Sequence, residues 1–296
     1  MSNRNDFMAN NKNHLPIKLD RIYKDKDWKL FKNTPVIPLG AETDTHNLIA
    51  TLKMGISIIT AGKPGSGQTT FIHSAIINLL RNTKPEDLKM ILIDVKNKDL
   101  QVYNGLPNLI FPVANTQEDS KKIVDWCSDK VDQRLGILIG LIQEIEVTSY
   151  SLKMLDKLFP RILVVIDGYH DLVKGDSEYF LQRFWKIVGL GSMVNVHVLM
   201  TNSKPLYKRI YPKSLIDTFP LRIAFSSSAD VSKALVKSSG GDKLKQVGEM
   251  LFREFEVPTS LNGKRTGMPV STKPNHLQGF YISEKEIKKE LKSFIK

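Results

Sequence analysis

The chain has 296 residues, 41% hydrophobic and 25% charged, enough for one large α/β domain with additions or two small domains around a substantial core. Its 43 Lys and Arg against 31 Asp and Glu give a formal charge of +12, which favours polyanionic partners, nucleic acid or an acidic membrane surface, unless it is only a solvated lysine face. One cysteine, Cys127, excludes an internal disulfide framework, the six histidines show no metal-ligand spacing, and no apolar run approaches the roughly 18 residues of a membrane span.

The polar start from Met1 to Asn13 is not a signal peptide, so the reading is a soluble cytoplasmic chain that can still be one piece of a larger, membrane-anchored machine. Residues 1 to about 15 are expected to be disordered, and Leu15 to Asn33, with Trp28 and Phe31, to form a short helix or strap; 1–33 is thus a tail or strap. Pro35 to Gly40 opens the folded core, and 34–296 is read as a single domain. Strands are expected at Leu48 to Leu52, Ile56 to Thr60, Lys89 to Ile93, Arg161 to Ile166, Val196 to Met200 and Leu221 to Phe225. Helical periodicity covers 69 to 81, 117 to 145 and 177 to 190. Strands alternating with helices predict a mostly parallel sheet covered on both faces. Residues 256 to 275, with three prolines and Asn262-Gly263, read as an exposed loop. Ser283 and Glu286 form a capping box for a closing helix over 283–295, whose Ile287, Leu291, Phe294 and Ile295 are expected to pack on the core.

The most informative motif is Gly62-Lys63-Pro64-Gly65-Ser66-Gly67-Gln68-Thr69, followed by Thr70. It fits the phosphate-loop spacing G-x-x-x-x-G-K-[ST] except that Gln68 stands where the lysine belongs. The glycines let backbone N–H groups and the following helix N-terminus converge on phosphate oxygens. Gly62, Lys63, Gly65, Ser66, Gly67, Gln68, Thr69 and Thr70 are therefore the expected nucleotide-binding residues, with the Thr69 hydroxyl directed at Mg²⁺. The missing lysine would neutralise the β- and γ-phosphates, so both binding and hydrolysis should suffer, hydrolysis more. Lys63 lies where the deviant loops of ParA/MinD-like ATPases carry an extra lysine, and it either compensates or is a solvated loop residue.

The apolar run Leu163 to Ile166 delivers Asp167 at a strand tip, where open α/β sheets bind ligands. Asp167 reads as the aspartate that holds Mg²⁺ through water. The next position usually carries the glutamate that polarises the attacking water, and here it is Gly168; Asp171, one helical turn on, is a displaced substitute.

These features resemble the motor domain of the FtsK/SpoIIIE family, a RecA-like P-loop ATPase fold. Ile93-Asp94-Val95-Lys96 with Leu100, Tyr103, Gly105, Leu106 and Pro107 is similar to the family's I-D-P-K…L…Y-x-G-I-P stretch. Trp126 with Arg134, His197 with Pro205, Pro220 to Phe225, Gly248 to Phe252 and Gly279 to Glu284 continue the series in order. The resemblance implies ATP and Mg²⁺ as cofactors and a hexameric or tandem-module assembly, with Arg222 acting in trans on a neighbour's nucleotide. The chain departs from the pattern at Gln68 and Gly168, at Ser203 and Lys204 where the family has glutamine and arginine, and at Val231-Ser232-Lys233 for its D-S-R.

Three functions stay open at this level. The first is a DNA-translocase-type module that contributes assembly and duplex DNA contact with little ATP turnover. The second is a degenerate module of a type VII secretion (EssC/EccC-like) or conjugation machine that recognises a secreted protein substrate. The third is an active ATPase relying on Lys63 and Asp171.

Overall fold

The computed structural model describes residues 16–24, 28, 34–43, 48–51, 57–145, 152–204, 211–256 and 270–295. The expected disordered start and most of the 256–275 loop lie outside these residues.

In chain order the strands and helices are β1 (Ile17–Lys18), β2 (Ile37–Glu42), β3 (Leu48–Thr51), β4 (Ile58–Ala61), α1 (Gln68–Asn82), β5 (Leu88–Ile93), α2 (Gln117–Ile145), α3 (Leu152–Leu158), β6 (Arg161–Ile166) and α4 (Tyr169–Leu172). They continue with α5 (Ser177–Gly191), β7 (Val196–Asn202), α6 (Lys213–Asp217), β8 (Leu221–Phe225), α7 (Ala229–Val236), β9 (Glu249–Glu254), β10 (Asn275–Gln278), β11 (Phe280–Tyr281) and α8 (Glu284–Phe294). Nine strands form one sheet in the order β3-β2-β10-β9-β8-β4-β7-β6-β5. The run β8-β4-β7-β6-β5 is parallel, as the strand and helix alternation predicts. The other four strands form an antiparallel wing on β8 that the sequence reading did not anticipate.

The parallel strands are mostly apolar because both faces are covered, with polar residues such as Thr60, His197 and Arg222 buried among them. Along β6, Leu163 and Val165 join one core cluster while Ile162, Val164 and Ile166 join the other, as the two-residue strand period requires. The second cluster holds α2 and α5. The first holds α1, α8 and the N-terminal strap, where Ile17, Leu19, Ile22 and Trp28 are buried and β1 pairs in parallel with β11.

Helix α1 buries the expected Phe71, Ile72, Ala75, Ile76, Leu79 and Leu80, but also Ser74, Ile77 and Asn78. Its second face is covered by the strap and the C-terminal segment. There Ser74 Oγ donates to Phe280 O at 3.1 Å, and Asn78 Nδ2 donates to Val36 O at 2.6 Å and accepts at Oδ1 from Tyr23. The helix carrying the phosphate loop is thereby clamped on both sides. At α8 the capping box forms in both directions, Ile287 and Leu291 are buried, and Phe294 and Ile295 pack at the cluster's edge. Among the described residues no helix is long and apolar enough to cross a membrane.

Candidate nucleotide site

The loop between β4 and α1 is stapled to the C-terminal ends of the neighbouring strands. Gly62 N donates to Asn202 O at the end of β7, 3.1 Å away, and Lys63 N to Ser226 O just past β8, 2.7 Å away. The chain then turns through Gly65 and Gly67, the latter at φ 107° with a Cβ position only 2.8 Å from Gly248 N, so a side chain is excluded there on both conformational and steric grounds. Helix α1 starts with no side-chain cap and no acidic residue in its first turn. The first-turn N–H groups of Gln68, Thr69 and Thr70 therefore keep their capacity for an anion. Ser66 is buried and its Oγ has no hydrogen-bond partner among the described residues. An orphaned hydroxyl beside uncapped N–H groups fits a phosphate.

Thr69 and Asp167 are brought together as a magnesium site requires: Thr69 Oγ1 donates to Asp167 Oδ2 at 3.1 Å. The other carboxylate oxygen accepts from Thr201 Oγ1 at 2.6 Å, and Thr201 in turn accepts from Gly168 N at 3.0 Å. Partial burial pushes the Asp167 carboxyl upward, opposed by the hydrogen bonds from Thr201 and Thr69 and by the charge of Lys96. A hydroxyl and a carboxylate at this separation suit Mg²⁺ held directly and through water.

Gln68 does not reach into the cradle. It is buried, its Nε2 donates to Gly62 O at 3.2 Å, and its Oε1 accepts from Thr60 Oγ1 at 2.9 Å and from Asn202 N at 3.3 Å. The first bond closes the loop on itself, and the other two tie it to β4 and β7. Lys63 is exposed, its backbone fixed by Ser226.

Asp171 stands near the site but is engaged: Lys96 Nζ lies 3.1 Å from its Oδ2 and Lys204 Nζ 4.0 Å from its Oδ1. Gly168 occupies the left-handed region at φ 85°. Arg222, for which the resemblance implies a role in trans, lies inside the domain. Its side chain is fully buried, Nε donates to Phe219 O at 2.9 Å, Nη1 pairs with Asp217 Oδ1 at 3.1 Å, and the guanidinium stacks 3.8 Å above the Phe255 ring. In this position Arg222 fastens β8 to α6.

Three participants were not singled out from sequence. Thr201 and Asn202 lie in the last residues of β7, beyond the expected strand end at Met200. Lys96 belongs to the Ile93-Asp94-Val95-Lys96 motif, and its position just past the end of β5, on the ligand-binding edge of the sheet, is the signal the sequence holds for it.

A model of the FtsK/SpoIIIE family matches residues 18–239. Among curated relatives, the DNA translocase FtsK of Caldanaerobacter subterraneus subsp. tengcongensis is 26% identical over 279 residues, covering 94% of this chain and 37% of the relative. The DNA translocase FtsK of Borreliella burgdorferi is 27% identical over 270 residues, covering 88% of this chain and 32% of its own length. The chain thus spans about a third of the curated relatives it matches. Similar solved structures include the cytoplasmic domain of the type VII secretion ATPase EccC of Thermomonospora curvata, with a TM-score of 0.68, 17% identity and coverage of 92% of this chain and 32% of that one. The conjugation coupling protein TcpA of pCW3, in monomer form with ATPγS, superposes with a TM-score of 0.66 at 18% identity, covering 88% and 70%.

Proposed function

The chain belongs to the FtsK/SpoIIIE family, and from that premise we propose that it is a motor-type module that holds a magnesium-bound nucleoside triphosphate, turns it over at or near background, and contributes assembly and duplex DNA contact. The observation that carries this reading is the contrast within one loop. The phosphate cradle and the Thr69–Asp167 pair are in place, while the residue at the lysine position is hydrogen-bonded to its own loop and strands.

Each part has a definite task. Backbone N–H groups of the first turn of α1 bind the phosphates, Ser66 Oγ adds a hydroxyl, and Thr69 and Asp167 hold the metal. When bound, Mg²⁺ supplies charge neutralisation across the β- and γ-phosphate oxygens. The position that carries the water-orienting glutamate in this class is Gly168, and Asp171 is paired with Lys96 and Lys204. Charge contacts of this kind are worth about 10³-fold or more each in phosphoryl transfer, so two missing ones leave little turnover. DNA is the favoured partner because the relatives quoted are DNA translocases and the chain carries +12. Work is then done by neighbouring hydrolysing subunits or tandem modules, at the cytoplasmic side of a larger assembly.

The test pairs binding with turnover. Fluorescent ATP should bind only with Mg²⁺ present and lose affinity in Thr69→Ala, with phosphate release at background. Wild-type turnover abolished by Lys63→Ala would establish the active, deviant-loop reading instead. A T. curvata EccC structure holds a signal sequence peptide. Binding of such peptides here, without DNA binding, would move the module to secretion.

A further inference from the structure

We propose that Lys96 is the residue through which this chain distinguishes a nucleoside triphosphate from a diphosphate, its ammonium group meeting the terminal phosphate. The inference rests on the nucleotide-holding reading above and adds the identity of the group that reads the ligand's state.

Lys96 projects from a turn that is built rather than loose. Asp94, at the end of β5, is buried, and its Oδ2 accepts from three backbone N–H groups, of Lys98 at 3.0 Å, Asp99 at 2.9 Å and Leu100 at 3.0 Å. Asn97 N closes back on Asp94 O at 2.8 Å with its own backbone in the left-handed region, φ 51°. A turn constrained at both ends sets where the lysine side chain starts. From there it crosses the C-terminal edge of β6 to Ser203, just past β7, where Nζ donates to Oγ at 3.4 Å.

Its destination is the position left vacant by the missing glutamate. A Cβ built on Gly168 would lie 3.1 Å from Lys96 Nζ and 3.5 Å from Asp171 Oδ2. Gly168 directly follows Asp167, the carboxylate bonded to Thr69, so the ammonium stands one residue from the metal-holding pair. Where this ATPase class places a base beside the terminal phosphate, this chain places a cation. Gln68 supplies no charge, so the counter-charge to the ligand comes from the far side of the cradle. An ammonium there stabilises a bound triphosphate and activates nothing, which suits a subunit that reports nucleotide state without consuming it.

Asp171 and Ser203 hold the lysine in place until a phosphate arrives. The Lys96–Asp171 pair is partly exposed, with side-chain exposures of 34% and 25%. Such pairs are weak, and a phosphate group competes well for the ammonium. Asp171 is on this account a positioning residue.

The experiment titrates the full chain with ATPγS and with ADP, both with Mg²⁺, and records the melting temperature of each ligand-free variant. Wild type should bind ATPγS about tenfold more tightly than ADP, the scale of one charge-assisted hydrogen bond. Lys96→Ala should abolish that preference while leaving ADP affinity unchanged, Lys96→Arg should keep it, and Asp171→Asn, by releasing the ammonium, should increase it. Lys96→Gln, neutral and close in length, replaces the alanine variant if that one melts early. Equal loss of both nucleotides, or loss of neither, in a variant that melts like wild type overturns the assignment while the nucleotide-holding reading stands. Failure of wild type to bind either nucleotide overturns both.

Discussion

Gln68 donates its side-chain amide to the carbonyl oxygen of Gly62, so the residue at the lysine position closes the first and seventh residues of the loop onto each other. The loop keeps a phosphate-binding shape with no cation of its own at that position. Shape and charge, which this motif usually supplies together, are separated here.

Gln68→Lys should therefore trade stability for affinity. A lysine can replace the donor to Gly62 but offers no acceptor for Thr60 Oγ1 and Asn202 N. Leaving such groups buried and unpaired costs about 1–3 kcal/mol each. The expected result is a melting temperature lower by several degrees with about tenfold tighter ATP binding and turnover still near background, read from thermal denaturation beside a nucleotide titration. A large gain in turnover from this one change would show that the missing glutamate is unimportant.

Restoring the glutamate alone should fail. Gly168 sits at φ 85°, where a side-chain-bearing residue costs about 1–2 kcal/mol, and its Cβ would meet the end of Lys96. Gly168→Ala and Gly168→Glu should both be destabilised by that amount in urea titrations, and Gly168→Glu should pair with Lys96 rather than activate water. Turnover should appear only when Gln68→Lys accompanies it. Gly168→Ala as stable as wild type would show that the turn relaxes.

His197 makes an acid-labile core. Burial, with lesser contributions from Arg161 and Arg134, pushes its pKa down to about 3, and neither ring nitrogen has a hydrogen-bond partner among the described residues. The lowered folded value means that the unfolded chain holds a proton there between pH 6.5 and about 3 that the folded chain does not. Stability is thus fully present above pH 6.5 and falls by about 1.4 kcal/mol per pH unit below it. His73, pushed down to about 4 by burial, adds in the same direction. In His197→Leu the loss of stability between pH 7 and pH 5 should be shallower by one proton's worth in urea denaturation. Parallel curves would rule His197 out as the source.

Arg222→Ala should behave as a core lesion. Its removal empties a fully buried site against Phe255, and large-to-small core changes cost about 2–5 kcal/mol, while Asp217 keeps Lys237 at 3.9 Å. The melting temperature should fall steeply, and mixing the variant with wild-type chain should leave the wild type's nucleotide affinity unchanged. A defect appearing only in mixed assemblies would instead support the in-trans role.

Duplex DNA binding should fall steeply with salt and show little sequence preference. Six phosphate contacts predict about a thousandfold loss between roughly 50 and 200 mM salt. A shallow slope worth one or two contacts would mark the lysines as solvated surface and favour a protein substrate.

The legible parts of this fold were those with a local signature. The parallel strands are predominantly apolar runs, α2 spans 117–145 as its periodicity predicts, and Ser283 with Glu286 announces α8. The wing was missed because β9 and β10 carry polar and charged residues and owe their pairing to partners far along the chain, such as Leu277 opposite both Met250 and Glu42. At the site the loop and Asp167 were visible as motifs. The bonding of Gln68 to Thr60 and Asn202, the closure of Arg222 by Asp217 and Phe255, and the crossing of Lys96 to Ser203 depend on where side chains meet across strands, which no spacing encodes.

The meeting of Gly67 and Gly248 links the two halves of the sheet. Gly248 N donates to Ser66 O at 2.9 Å, Gly248 O accepts from Gly279 N at 2.9 Å, and Gln278 Nε2 reaches Val247 O at 3.0 Å. The backbone of the phosphate loop is thus in series with β10, and through β10 with β2. A side chain at position 67 would meet Gly248 N at 2.8 Å, so the close passage of these two backbones requires glycine there. The phosphate loop and the wing thus share one unbroken run of hydrogen bonds, from Ser66 through Gly248 and Gly279 to the β9–β10 end of the sheet.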